Sequence, residues 1–289
     1  MWNDLNETKK VNVDLMSPMN NLIQIYNCYV NHVGTVVTRD NSYFWRKIDS
    51  EDRLDLGNFS VIGHYPHIFA IGYGEVNTNF GHCLEDLATP LLYFISYVPK
   101  ELTKNAYFIY NGFPPVFDII LELFNIPQNR VIRFENKSFV SCDICSTITN
   151  PVPFINFFGI HGKRLHEYFL DKFELRKIKP KRYIFTNRPE DKPRCIHNLE
   201  EIMDLTKLMI PKIKWEYQED IYNLAEASKV WASVKFWFCP VGSNVFKCYL
   251  MHPLTVIVVA SCYCADAPTS AAIISGDIFC LMYNGIGGY

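Results

Sequence analysis

The chain has 289 residues, near twice the ~150 of a typical domain, so one large domain or two moderate ones are expected. Hydrophobic residues make up 49% and charged residues 20%, which is enough to bury a full core and excludes a disordered chain. Lys and Arg total 28 against 30 Asp and Glu, and this net charge of -2 supplies no basic field for a nucleic acid backbone, so no nucleic acid partner is expected.

No stretch approaches the ~18 to 20 consecutive apolar residues of a membrane-spanning helix, and the longest largely apolar run, Leu254 to Ala260, is strand-length. The first residues carry acids and no apolar h-region, so neither a signal peptide nor an anchor is visible in the chain. The ten Cys fall well below the density of a disulfide scaffold and leave the redox compartment open. Sequons at Asn6, Asn58 and Asn136 occur at about the chance frequency.

In chain order, short β-rich runs at Leu22–Val30, Gly34–Thr38 and His67–Tyr73 predict strands without fixing their order. Leu84, Leu87, Leu91 and Ile95 then share one face of a helix that ends before Pro99. Ala106–Tyr110 reads as a strand, Pro115–Phe124 as a helix opened by Pro, and Arg130–Phe134 as a further strand. The segment 147–158 carries two Pro and no helical period, and a charged amphipathic helix follows at Leu165–Lys177. The hinge between domains is expected in that segment or just after that helix, giving domains 1–177 and 178–289.

Past the hinge the pattern alternates strictly. Strands are predicted at Arg182–Thr186, Ile213–Tyr217, Lys235–Cys239 and Leu254–Ala260, with helices between them at Leu199–Met209 (capped by Asn198), Ile221–Ala232 and Asn244–Met251. Three βα units in succession imply a parallel, doubly wound sheet, which binds ligands beyond the carboxyl ends of its strands.

The familiar nucleotide and hydrolase fingerprints are absent. Gly72 and Gly74 lack the third Gly of a dinucleotide loop, and no P-loop, nucleophile elbow, His-Glu-x-x-His or Asp-x-Asp occurs, so no divalent metal site and no cofactor is expected. Cys142 and Cys145 have C-x-x-C spacing without a second pair at zinc-finger distance, and read as structural thiols or a local disulfide.

Three segments carry chemistry. His82 and Asp86 lie four apart in Asn79-Phe-Gly-His-Cys-Leu-Glu-Asp; on an α-helix they share a face near its N-terminus, as a general base and its partner require, or form an ordinary surface pair. Arg188 and Arg194 gather in a loop beyond a parallel strand, where guanidinium groups suit a diphosphate; the alternative is a solvated charged loop. Gly242, Ser243 and Asn244 form a strand-to-helix turn whose amides suit a phosphate, or a plain tight turn capped by Ser.

In this order the segments resemble glycosyltransferase family 61, which includes plant β-xylosyltransferases and O-linked N-acetylglucosaminyltransferases. The matching positions are Asn79, Phe80, His82 and Asp86 on the first helix; Arg188, Arg194, Asn198 and Glu200 in the Arg-rich loop and the helix after it; and Gly242, Asn244 and Phe246 at the final turn. The family usually carries His where this chain has Val241.

The resemblance implies an α/β fold of GT-B type, two Rossmann-like doubly wound domains facing a cleft. It further implies inverting, metal-independent transfer from a UDP-sugar to a hydroxyl of a glycan or glycoprotein. Asp86 and His82 would be catalytic and Arg188, Arg194, Gly242, Ser243 and Asn244 would bind the donor, with Asn79, Asn198 and Glu200 as structural motif residues. The secretory pathway, in the Golgi or endoplasmic reticulum lumen, would be the location, with the cytoplasm as the alternative. The alternative function is a non-catalytic relative that binds a glycan or nucleotide sugar.

Overall fold

A computed structural model describes residues 8–11, 21–32, 34–38, 43–44, 60–70, 80–110, 114–134, 138–149, 160–261 and 267–284. The chain divides into two compact units, Met1–Asn156 and Phe157–Tyr289. The division falls in the Pro-containing segment before the predicted charged helix and not after it at 177, so that helix packs within the second unit.

The first unit is a mixed sheet of eight strands: β1 Thr8–Val11, β2 Asn21–Asn31, β3 Val36–Thr38, β4 Tyr43–Phe44, β5 Ser60–Ala70, β6 Tyr107–Ile109, β7 Val131–Ile132 and β8 Ser138–Thr149. Its order is β4-β3-β2-β8-β5-β6-β7, with β1 on β2. β8, β5, β6 and β7 run parallel, whereas β1 to β4 are antiparallel. The expected doubly wound parallel sheet therefore describes only part of this unit. Ile23, Ile25 and Val30 on β2 pack with Ile68, Ala70, Ile109, Ile132 and Val140 to form its core.

Alternate residues of β5 face the other way. Phe69 stacks on Phe94 with centroids 3.8 Å apart. Phe94 belongs to a helical stretch made of α1 Phe80–His82, a π-helical run Cys83–Ala88 and α2 Thr89–Tyr97. The expected helix is thus present, but a π-helical run interrupts its α-helical winding. Pro90 explains the widening: in an α-helix its ring would clash with the carbonyl of Asp86, four residues back, and it has no N–H to donate there. After α3 Lys100–Thr103, α4 Pro114–Leu123 lies close to its predicted bounds.

The second unit is a five-stranded sheet of β9 Arg182–Phe185, β10 Trp215–Tyr217, β11 Val234–Pro240, β12 Val256–Ser261 and β13 Phe279–Asn284, every pair parallel as the alternation predicts. Its helices are α5 Ile160–Lys172, α6 Leu199–Met209, α7 Leu224–Ala232 and α8 Ala267–Ser275. α5 starts earlier than predicted and stops at Lys172, because Glu174 turns left-handed (φ 55°) ahead of a separate 3-10 turn, Leu175–Lys177. α7 starts at Leu224, where Asn223 Oδ1 accepts the Glu226 N–H at 3.0 Å. α6 has its predicted bounds, but Asn198 makes no side-chain cap and only its carbonyl accepts the Ile202 N–H at 3.2 Å. The expected helix 244–251 is a 3-10 helix, Ser243–Leu250. Among the described residues no helix is long and apolar enough to cross a membrane.

Candidate functional site

The order β10-β9-β11-β12-β13 places the second strand of this unit at one edge and the third on the far side of the first, so winding reverses between β9 and β11. Ligands of doubly wound sheets bind beyond the carboxyl ends of the two strands that flank such a reversal. Phe185 pairs with Phe238, so the segments leaving β9 and β11 emerge side by side at that point.

The segment after β9 is closed by Asn187. Its Oδ1 accepts the N–H groups of Arg188 and Ile196, each at 2.9 Å, and its Nδ2 donates to the Ile196 carbonyl at 2.9 Å. The Cys195 thiol adds a bond to the Arg188 carbonyl at 3.3 Å. Arg194 within this loop holds φ 67°, a left-handed conformation that non-glycine residues adopt at a cost and that concentrates at functional sites. The side chains of Arg188 and Arg194 converge on the turn after β11. A Cβ built on Gly242 would meet Arg188 Nη1 at 2.9 Å and Arg194 Cζ at 3.7 Å. Gly242 itself has φ 147°, so a side chain at 242 is disfavoured by both backbone and neighbours.

Two guanidinium groups thus share one small space. Among the described residues no carboxylate forms an ion pair with either. Burial, and then the charge of Arg194, lower the pKa of Arg188 below its usual value, although a guanidinium remains protonated. Like charges held together without a counter-charge favour any anion that enters.

The turn is braced from β10. Asp220, in the loop after that strand, accepts from Asn244 Nδ2 through one oxygen and from Lys247 Nζ through the other. Asn244 and Lys247 are three apart, and a 3-10 helix eclipses residues at that spacing, so one carboxylate reaches both. This supplies a reason for the tighter winding of Ser243–Leu250. Lys247 is fully buried and lies 4.6 Å from the Trp231 ring centroid. Burial pushes its ammonium down to about 7, against which the Asp220 carboxylate favours the charged form.

Of the expected donor residues, Arg188, Arg194 and Gly242 are brought together, with Ser243 and Asn244 next along the turn. Asn198 and Glu200 are exposed at the start of α6, and no hydrogen bond or ion pair joins them to this cluster. Val241 is fully buried, and its N–H donates to the Ala260 carbonyl at 2.9 Å. Asn79 lies outside the described residues, as do the side chains of His82 and Asp86. The backbone between those two is π-helical rather than α-helical, and such runs are frequent at functional sites.

Asn187, Asp220 and Lys247 were not expected from the sequence. Lys247 has a signal of its own, a single charge inside the otherwise apolar run 245–251, the mark of a buried and paired ion. Asp220 and Asn187 have none, since acids and amides are ordinary in loops. No group of three His, Cys, Asp or Glu among the described residues is placed to hold a metal ion. The family model described as Glycosyltransferase 61 matches residues 80–258, more than half of the chain. No curated protein matches it.

Proposed function

The chain belongs to glycosyltransferase family 61, and we propose that it moves a sugar from a nucleotide diphosphate sugar, a UDP-sugar, to a hydroxyl of a glycan or glycoprotein. The observation that carries this reading is the pair of unneutralised guanidinium groups, Arg188 and Arg194, over Gly242 at the reversal point of the second unit. A diphosphate fits such a place because it is a small dianion with oxygens for both forks, and the glycine lets it approach the backbone. As the bond from the sugar to the diphosphate breaks, negative charge grows on the leaving oxygen. Cations already in position stabilise that charge without reorganising.

The remaining roles rest on the family resemblance. Transfer is by one in-line displacement with inversion, and Asp86, or His82 oriented by it, takes the proton of the acceptor hydroxyl. The GT-B class, work in the secretory lumen and the absence of a metal from the leaving-group step belong to the same proposal. Donor turnover is therefore expected to survive EDTA.

UDP titration of the full chain by calorimetry tests the donor site. Replacing Arg188 or Arg194 by Ala should weaken UDP binding by about 1.5 to 3 kcal/mol, the range for charge-assisted hydrogen bonds. Unchanged affinity in both variants would return the loop to a solvated surface role. One observation favours a second reading, a relative that binds donor without turnover: Val241 stands buried where the family usually has an imidazole. Donor hydrolysis separates the two, since the binding protein would retain UDP affinity and show no hydrolysis.

A further inference from the structure

Cys28 is far from Cys142 and Cys145 in sequence but meets both in the core of the first unit. A regular strand sends residues three apart to opposite faces. Ile25 and Cys28 on β2 nevertheless share one core, as do Cys142 and Cys145 on β8. Cys28 pairs with Cys142 and Ile25 with Cys145, so both strands change face at the same place. Between these pairs Asn27 is left-handed (φ 52°), a conformation Asn tolerates, and Asn27 and Asp143 are exposed. The paired irregularity turns a C-x-x-C that would straddle the sheet into two thiols on one side of it, with Cys28 as a third.

The Sγ atoms of Cys28 and Cys142 are 3.5 Å apart. Directly opposed residues of antiparallel strands have Cα separations of about 4.5 to 5.5 Å, inside the range that a disulfide bridges. We propose that Cys28 and Cys142 are the site of a cross-strand disulfide, made by exchange with a small disulfide oxidant of the glutathione class, with Cys145 remaining a free thiol beside it. The Cys28 thiolate attacks one sulfur of the oxidant and releases one thiolate. That thiolate takes the Cys142 proton, and the Cys142 sulfur then displaces the second oxidant sulfur from Cys28. Two protein thiols lose two electrons and two protons, and the oxidant's disulfide becomes two thiols.

Both partners are buried, so exchange takes place when β2 lifts from β8 or before it docks, and the closed sheet afterwards shields the bond.

The test incubates the reduced full chain with oxidised glutathione at a low urea concentration that permits local opening. Thiols are then blocked with a maleimide in denaturant, and the digested peptides are mapped by mass. A linked pair containing Cys28 and Cys142, lost on reduction, is expected, together with a Tm about 5 °C or more above the reduced protein because the bond closes a long loop. The Cys145→Ala variant should form the same pair. Full labelling of Cys28 and Cys142 after prolonged oxidation would overturn the proposal. So would a bond from Cys28 to Cys145, or loss of the bond in Cys145→Ala.

Discussion

Arg188 Nη1 lies 2.9 Å from the point that a Cβ on residue 242 would occupy, so the glycine and the arginine are fitted to each other. Gly242→Ala must both hold φ near 147° and push the guanidinium away. The backbone strain is worth about 1 to 3 kcal/mol of stability. UDP affinity should fall by at least tenfold, because Arg188 is displaced from the position shared with Arg194. Urea unfolding and UDP titration read the two effects separately. A variant neutral in both would mean that the turn is an ordinary one.

The Asp220–Lys247 pair gives a second expectation. Removing one partner of a buried ion pair leaves the other uncompensated, which is destabilising by about 3 to 5 kcal/mol. Lys247→Met and Asp220→Asn should each approach that range, and the double variant should lose much less than their sum, since no buried charge remains. Additive losses in the double-mutant cycle would show that the two side chains act independently.

The parts of this fold legible in the sequence are those where one pattern dominates. The alternation of strand and helix from Arg182 to Ala260 is read correctly because parallel strands are continuous apolar runs and each helix has its own amphipathic period. β8 gives no strand signal because its middle, Ser141-Cys-Asp-Ile-Cys, lacks strict alternation, and the structure shows why: the strand changes face there. The π-helical run was hidden because residue spacing cannot distinguish it from an α-helix, and only Pro90 points to it. That Arg188, Arg194 and Gly242 come together is legible from their positions beyond strand ends. The bracing by Asp220 is not, since it follows from where β10 sits beside β9, which no local pattern encodes.

Acid sensitivity follows from the buried imidazoles. Burial lowers the pKa of His67, His166 and His252 below the ordinary 6.5. His166 is tied through Nε2 to the Met251 carbonyl at 2.6 Å, and His67 Nε2 meets Ser146 Oγ at 2.8 Å. Between the folded values and 6.5 the unfolded chain binds more protons than the folded one, so stability is full above 6.5 and falls as pH drops through the folded values. Urea unfolding should give lower stability at pH ~5.5 than at pH ~7.5, and His166→Gln should reduce that slope. Equal stability at the two pH values would remove the argument.

The proposed base, Asp86 or His82, decides between a transferase and a binding protein. Asp86 and His82 bracket the first part of a π-helical run whose neighbours Cys83, Leu84, Leu87 and Ala88 are all buried, so the backbone that carries them is fixed by packing on its apolar side. General-base assistance is worth ~10² to 10⁴ in rate, and Asp86→Asn keeps the shape while removing the basicity. Transfer should therefore fall by about that factor with UDP affinity little changed, because the diphosphate is assigned to the arginines. His82→Gln should also be harmful, and the double variant should lose less than the product of the single losses if the two groups work as one unit. Turnover at the parent rate in both folded single variants would leave the helix as packing alone and would favour the binding protein, since a hydroxyl with no group to take its proton has little reason to attack at neutral pH.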